Sequence, residues 1–175
     1  YKTVALRLLD GVAVMSTIIR WGHTSILRQI DSAGKEDFSL VQYVDKGLAK
    51  ITAQLCESED SSLKSVRFEF KIFAGWHVTA AGVNGGSYSA LLLDVGADEL
   101  EWQMLSADYP NASKIMNGLD NSTVRVYDDT FRLEAKLQRK NGRGDSVCFG
   151  ASLIISLQLC NDQECLLPCK ISFRI

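Results

Sequence analysis

Proline, clustered positive charge and long apolar runs are all scarce in this chain. Its 175 residues include two prolines, which excludes long Pro-rich linkers. Lys and Arg number 19 against 21 Asp and Glu, for a formal net charge of −2. No basic stripe is present, which argues against nucleic acid as a partner. The apolar runs are a few residues long, far short of the ~20 that a membrane-spanning helix needs. No membrane contact by this fragment is expected. No signal peptide is visible, and no internal repeat. The chain opens in mid-pattern at Tyr1-Lys2-Thr3 and reads as an excised fragment, so the missing targeting segment says nothing about a parent protein.

The remaining composition is that of a globular domain, or of one domain with a small appendage. It is 46% hydrophobic and 23% charged. A chain of this length buries roughly two-thirds of its unfolded surface and needs no disulfide or metal to fold.

Two regimes of patterning divide the chain. From residue 1 to about 32, Val4, Leu8, Val12, Met15 and Ile19 recur at spacings of three and four. Leu9 and Ile18 widen this stripe, which stops at Trp21-Gly22. A second stripe carries Ile26, Leu27 and Ile30. The pattern predicts an N-terminal α-helical hairpin, and two such short helices must pack on something, either the rest of this chain or a larger helical body that has been cut away. Gly34 to Asp45 is expected to be the joint.

From about residue 47 the period becomes two. Ala49, Ile51, Ala53 and Leu55 form one apolar row, and Val66, Phe68, Phe70 and Ile72 a second. Phe131, Leu133, Ala135 and Leu137 form a third. Leu153, Ile155, Leu157 and Leu159 follow, and Ile171, Phe173 and Ile175 end the chain. Each row alternates with polar residues, as strands with one wet face do. Turn signals separate them at Glu57–Ser62, Asn84-Gly85-Gly86, Asn117–Asn121 and Asn141–Gly144. The fold expected is mainly β: an antiparallel β-sandwich, with a closed barrel as the alternative.

The segment Cys160-Asn161-Asp162-Gln163-Glu164-Cys165-Leu166-Leu167-Pro168-Cys169 carries the most chemistry. A strand delivers Cys160, a four-residue turn follows, then Cys165. Strand parity places Leu159 inward and Cys160 outward. The spacing allows a disulfide, which would close a loop of about six residues and contribute roughly 2 kcal/mol; a Cys56–Cys148 bond would contribute more than about 4. So weak a staple suits thiol–disulfide exchange. A structural disulfide and unpaired thiols remain the other readings. Asp162 and Glu164 raise the pKa of neighbouring thiols.

Other candidates carry less. A structural zinc site at Cys160, Cys165 and Cys169 would need a fourth ligand from Cys148, His77 or Cys56, none of them near in sequence. No metal or cofactor is expected. His77, after Trp76 at a strand end, reads as a structural histidine, and His23 as a cap or surface residue. Asp98-Glu99 and Asp128-Asp129 read as solvated turns. Arg143-Gly144-Asp145 falls in a hairpin loop where those residue types are expected anyway. Trp76, Trp102 and Tyr109 read as core or rim packing.

The cysteine segment resembles the N-terminal periplasmic domain of the bacterial thiol:disulfide interchange protein DsbD and its relatives. There, two cysteines a few residues apart precede an aromatic or Leu and then prolines. Gly75-Trp76-His77-Val78 is similar to that family's Gly-Trp-His or Gly-Tyr-Tyr element. Val124-Arg125-Val126-Tyr127 and the strand to Leu137 resemble its stretch before the last hairpin. The resemblance covers about Gly47 to Ile175. It implies an immunoglobulin-like β-sandwich in which Cys160 and Cys165 are the catalytic pair of a thiol:disulfide oxidoreductase component. They would form a reversible disulfide passing electrons between a thioredoxin-like domain and a redox protein partner in the periplasm, with Cys165 forming the mixed disulfide. DsbD has five residues between its cysteines and here there are four. DsbD also shields its disulfide with an aromatic cap loop; the corresponding stretch, Ile115 to Asn121, has no aromatic residue. Cys169 is an extra thiol.

Tyr1 to Gln42 is similar to the last helical hairpin of large bacterial proteins that join a thioredoxin-like domain to a six-hairpin α-toroid. The division expected is therefore a helical hairpin over 1–42 and a DsbD-like β-sandwich over 43–175. The thioredoxin-like partner would act in cis or in trans, and an orphaned apolar stripe would favour a homodimer. The reading from another class is a non-catalytic immunoglobulin-like interaction domain with structural cysteines.

Overall fold

The computed structural model of the chain describes residues 2–9, 12–21, 24–30, 36–56, 62–82, 88–96, 101–119, 121–140 and 151–174, with side chains from residue 39 onward. Expectations at His23, Asn84–Gly86, Asp98-Glu99, Arg143–Asp145, Cys148 and Ile175 fall outside the described residues.

The described chain is mainly β, and all its strand pairs are antiparallel. The strands are β1 (Lys2–Leu9), β2 (Val12–Trp21), β3 (Thr24–Ile30), β4 (Glu36–Val44), β5 (Ala49–Cys56), β6 (Leu63–Ile72), β7 (His77–Thr79) and β8 (Leu92–Val95). They continue with β9 (Trp102–Asp108), β10 (Lys114–Asn117), β11 (Thr123–Tyr127), β12 (Thr130–Arg139), β13 (Ser152–Leu157), β14 (Leu159–Cys160) and β15 (Cys169–Arg174). A single 3₁₀ turn, Asp45–Gly47, separates β4 from β5. The strands make an eight-stranded sheet in the order β1-β2-β3-β4-β5-β6-β12-β9, a four-stranded sheet β10-β11-β7-β14 and a three-stranded sheet β15-β13-β8.

The period-two rows supply the core. In register, Ile51 faces Phe70, Ala53 faces Phe68 and Leu55 faces Val66. Across the other edge of β6, Phe131 pairs with Phe70, Leu133 with Phe68 and Ala135 with Val66. These side chains share one face of the large sheet because alternate residues of a strand point the same way. Val66, Phe68 and Phe70 are wholly buried. The other two sheets close over them: Phe68 meets Phe173 of β15 edge-on at 5.5 Å, and Phe131 stacks on Phe70 at 4.5 Å and on Tyr127 of β11 at 4.6 Å. The solvent face of the same strands pairs charges in register. Arg132 binds Glu69 at 2.8 Å, and Arg67 lies 3.7 Å from Glu134.

The helical hairpin expected at the N-terminus is not present. Lys2–Leu9, Val12–Trp21 and Thr24–Ile30 are strands. β1 pairs with β2 from Lys2↔Ile19 to Leu9↔Val12, and β2 with β3 down to Trp21↔Thr24. The expected joint at Gly34–Asp45 is mostly β4, which bonds to both β3 and β5. The physical reason lies in the residues themselves. A short apolar segment fits a period of two as readily as 3.6. Val4, Val12, Val14, Thr17, Ile18, Ile19 and Thr24 are β-branched, which lowers helix and raises strand preference.

Candidate functional site

Cys160 and Cys165 form a disulfide, with their Cα atoms 4.0 Å apart. Local backbone geometry explains why they meet. Asn161 N–H donates to the Glu164 carbonyl and Leu166 N–H to the Leu159 carbonyl, each at 2.8–2.9 Å. Cys160 and Cys165 lie opposite one another between these two bonds. That is the non-hydrogen-bonded position of an antiparallel pair, where side chains approach most closely. The turn is held by its own first residue: Asn161 Oδ1 accepts from the N–H groups of Gln163 and Glu164, both at 2.8 Å. Four intervening residues thus suffice, with Asp162 and Glu164 exposed at the tip.

The parity expectation for Cys160 is wrong. Leu157, Gln158, Leu159 and Cys160 are all buried, and Cys160 is only 1% exposed. The chain leaves β13 of the three-stranded sheet and enters β14 of the four-stranded sheet across Gln158. A segment that changes sheets is covered on both sides, so alternation ceases to sort inside from outside. Gln158 is satisfied there: its Oε1 accepts from Ser89 N–H at 2.8 Å, and its Nε2 donates to the Leu166 carbonyl at 2.9 Å. Cys165, after the turn, is only partly buried. The two sulfurs of one bond therefore belong to unequal residues, one sealed and one reachable.

β7 arrives beside the pair through a tight reversal. Trp76 N–H donates to the Phe73 carbonyl at 3.0 Å, and Gly75 takes a positive φ of 85°, a conformation costly for any side-chain-bearing residue. In register His77 then faces Cys160, and Val78 faces Leu159. His77 is 7% exposed. Burial is the first cause holding its imidazole below the ordinary histidine range, and Lys114 adds to it, while Asp162 and Asp128 pull the other way. Lys114 is itself tied to Asp128 at 2.7 Å. Ser113 Oγ also hydrogen-bonds that carboxylate, and Lys114 and Ser113 together hold it below the usual aspartate range.

A cavity of about 190 Å³ opens over the disulfide, lined by both cysteines, His77, Tyr88 and the β10–β11 hairpin from Met116 to Leu119. The stretch that corresponds to the DsbD cap loop, Ile115 to Asn121, thus shares a cavity with the pair. Its aromatic comes from elsewhere: Tyr88 sits on the backbone of Gly118, so closely that a Cβ there would lie 2.5 Å from Tyr88 Oη. Sequence reasoning missed Tyr88 because it is about 30 residues from the hairpin it covers. The one available signal was Gly118 within a turn that already had an Asn.

The remaining cysteines stand apart. Cys169 begins β15 opposite Leu157, is partly buried against the core, and does not line the cavity. Burial, and then Asp45, push its thiol up. Cys56 ends β5 opposite Ser65. Among the described residues no three His, Cys, Asp or Glu side chains converge as metal ligands. Trp102 is buried in the core and Trp76 packs against it, while Tyr109 Oη accepts the Leu93 N–H at 2.8 Å. No described helix is long and apolar enough to cross a membrane.

No protein-family model matches this sequence, and neither does any curated protein. In fold the chain is similar to the crystal structure of the N-terminal periplasmic domain of ScsB from Proteus mirabilis, with a TM-score of 0.55 at 12% identity. The match covers 77% of this chain and 49% of that one, so the present chain spans about half the length of its structural neighbour. At this identity the likeness concerns the fold alone.

Proposed function

We propose that this chain is a thiol–disulfide exchange module and that Cys160 and Cys165 are its catalytic pair. The observation that carries the reading is the asymmetry of the bond. Cys160 is sealed at 1% exposure while Cys165 is reachable at the end of a short hairpin under a small cavity. A partner thiolate attacks Cys165 Sγ, a mixed disulfide forms, and Cys160 departs as the thiolate. The partner's second thiolate then attacks its own sulfur in the mixed disulfide and releases Cys165. Two electrons and two protons have passed to this chain, and the partner dithiol has become a disulfide. The same steps reversed reduce a second partner.

The partner chemistry that fits is a thioredoxin-like dithiol, in cis or in trans. The similarity of the fold to a periplasmic domain, and that of the cysteine segment to the DsbD N-terminal domain, both favour a periplasmic setting and an immunoglobulin-like sandwich. In this reading residues 43–175 carry the exchange unit and residues 1–42 are an appendage that lengthens its large sheet.

Equilibration across glutathione ratios, alkylation and peptide mass spectrometry test the reading. The Cys160–Cys165 bond is expected to titrate within the range of thioredoxin-like proteins, with the fold intact in both states. A pair locked below about −300 mV would instead make this a structural or interaction domain.

A further inference from the structure

We propose that His77 is the proton carrier of the cysteine pair, a role that rests on the exchange reading above. In the closing step Cys165 is held in a mixed disulfide with the partner. The His77 imidazole takes the proton of the Cys160 thiol. The Cys160 thiolate attacks Cys165 Sγ, the Cys160–Cys165 bond forms, and the partner leaves as its thiolate. In the opening step the Cys160 sulfur departs as the thiolate, the imidazole takes a proton from solvent, and it passes that proton to the sulfur.

Placement is the ground for this assignment. His77 and Cys160 are directly opposed in the β7–β14 register, so their side chains stand on the same face of the sheet. Directly opposed residues hold their Cβ atoms about 4.5–5.5 Å apart. Both side chains line the disulfide cavity. Cys160 is 1% exposed, and a thiolate expelled into so buried a site is disfavoured until it gains a proton or a cation beside it. An imidazole changes charge between about pH 5 and 8, the range in which exchange must run.

The charged groups facing His77 come from three elements: Lys114 of β10, Asp128 after β11 and Asp162 in the cysteine turn. Lys114 is neutralised in part by Asp128 at 2.7 Å. Asp162 is exposed at the hairpin tip, on the solvent side of the pair. Burial and Lys114 keep the resting imidazole in the neutral form that a proton acceptor needs. The position of His77 within the sequence does not reveal any of this, because β7 and β14 are about 80 residues apart.

The test follows the reduced chain as it re-forms the Cys160–Cys165 bond with oxidised glutathione, at concentrations where ring closure is rate-limiting, from pH 5 to 9. Acid-quenched peptide mass spectrometry reports the bond. In the unmodified chain the rate is expected to level off above the imidazole's titration. His77→Gln is expected to slow closure at least about 10-fold near pH 6.5, a bound set below the roughly 100- to 10,000-fold of typical general-base effects. Its rate should climb instead toward the thiol range. Added imidazole should restore part of the loss. Should His77→Gln unfold, proton NMR of the unmodified chain replaces it. The chain has two histidines, so His77 is readily assigned. Its imidazole should titrate differently in the dithiol and disulfide states. Identical pH–rate profiles for both chains, or identical titrations in both states, would overturn the role of His77 and leave exchange standing. An unmodified chain that never closes the bond at any pH would overturn exchange, and the proton carrier with it.

Discussion

Replacing Cys165 by serine opens the disulfide and leaves the other described ties of the hairpin in place. The bond joins residues five apart in sequence. Closing so short a loop restricts the unfolded chain by only about 2 kcal/mol. Five hydrogen bonds remain: Asn161 N–H to the Glu164 carbonyl, Leu166 N–H to the Leu159 carbonyl, Gln158 Nε2 to the Leu166 carbonyl, and the N–H groups of Gln163 and Glu164 to Asn161 Oδ1. Cys165 is partly exposed, so a serine hydroxyl there keeps contact with water. Cys160 stays behind as a buried thiol, which behaves as a small hydrophobe. The expected loss is therefore about 2 kcal/mol, or about 4–8 °C in Tm for a chain of this size. Phe68→Ala sets the scale for a true core element. That ring is 0% exposed and lies between Ala53 and Leu133 in register. Its truncation should cost about 3–5 kcal/mol. Urea unfolding followed by circular dichroism measures both variants, read as midpoints at unchanged slope. A loss for Cys165→Ser as large as that of Phe68→Ala would make the disulfide a structural staple. A variant that still exchanged with glutathione would place the reactive sulfur elsewhere.

Two further outcomes follow from the surroundings of the pair. Gly118→Ala should push the Tyr88 ring off the hairpin, because the added Cβ meets the far end of that side chain. Reduction by dithiothreitol should become faster, at a stability cost below the about 1–3 kcal/mol of typical overpacking; an unchanged reduction rate would show that Tyr88 does not shield the bond. Asp128 is held below its ordinary range by Lys114 first and Ser113 next, so its contribution to stability is present above about pH 4 and is lost as pH falls through the lower folded value. The stability difference between the unmodified chain and Lys114→Met should thus be present at about pH 6 and shrink below about pH 4, as urea midpoints across that range will report.

The strands of the core could be read directly from the chain. Ala49–Leu55, Val66–Ile72 and Phe131–Leu137 alternate because one face of each strand is dry and the other wet, and the structure places those rows in a common core. The cysteine hairpin was equally legible, since a strand, a four-residue turn and two thiols are all local. The N-terminal segment was not. Its apolar residues satisfy both periods, and the choice fell to strand because each strand hydrogen-bonds to a neighbour, β1 to β2, β2 to β3 and β3 to β4.

Sequence by itself determined what depends on neighbours along the chain: the alternating faces, the turn at Asn117–Asn121, and the closeness of Cys160 to Cys165. Tertiary structure alone decided which sulfur is sealed, what covers it and what faces it. Cys160 is buried because the chain crosses between sheets at Gln158, and Tyr88 and His77 reach the pair from about 70–80 residues away. Local patterns encode which way a side chain points, but only the packing of one sheet against another encodes what it meets there.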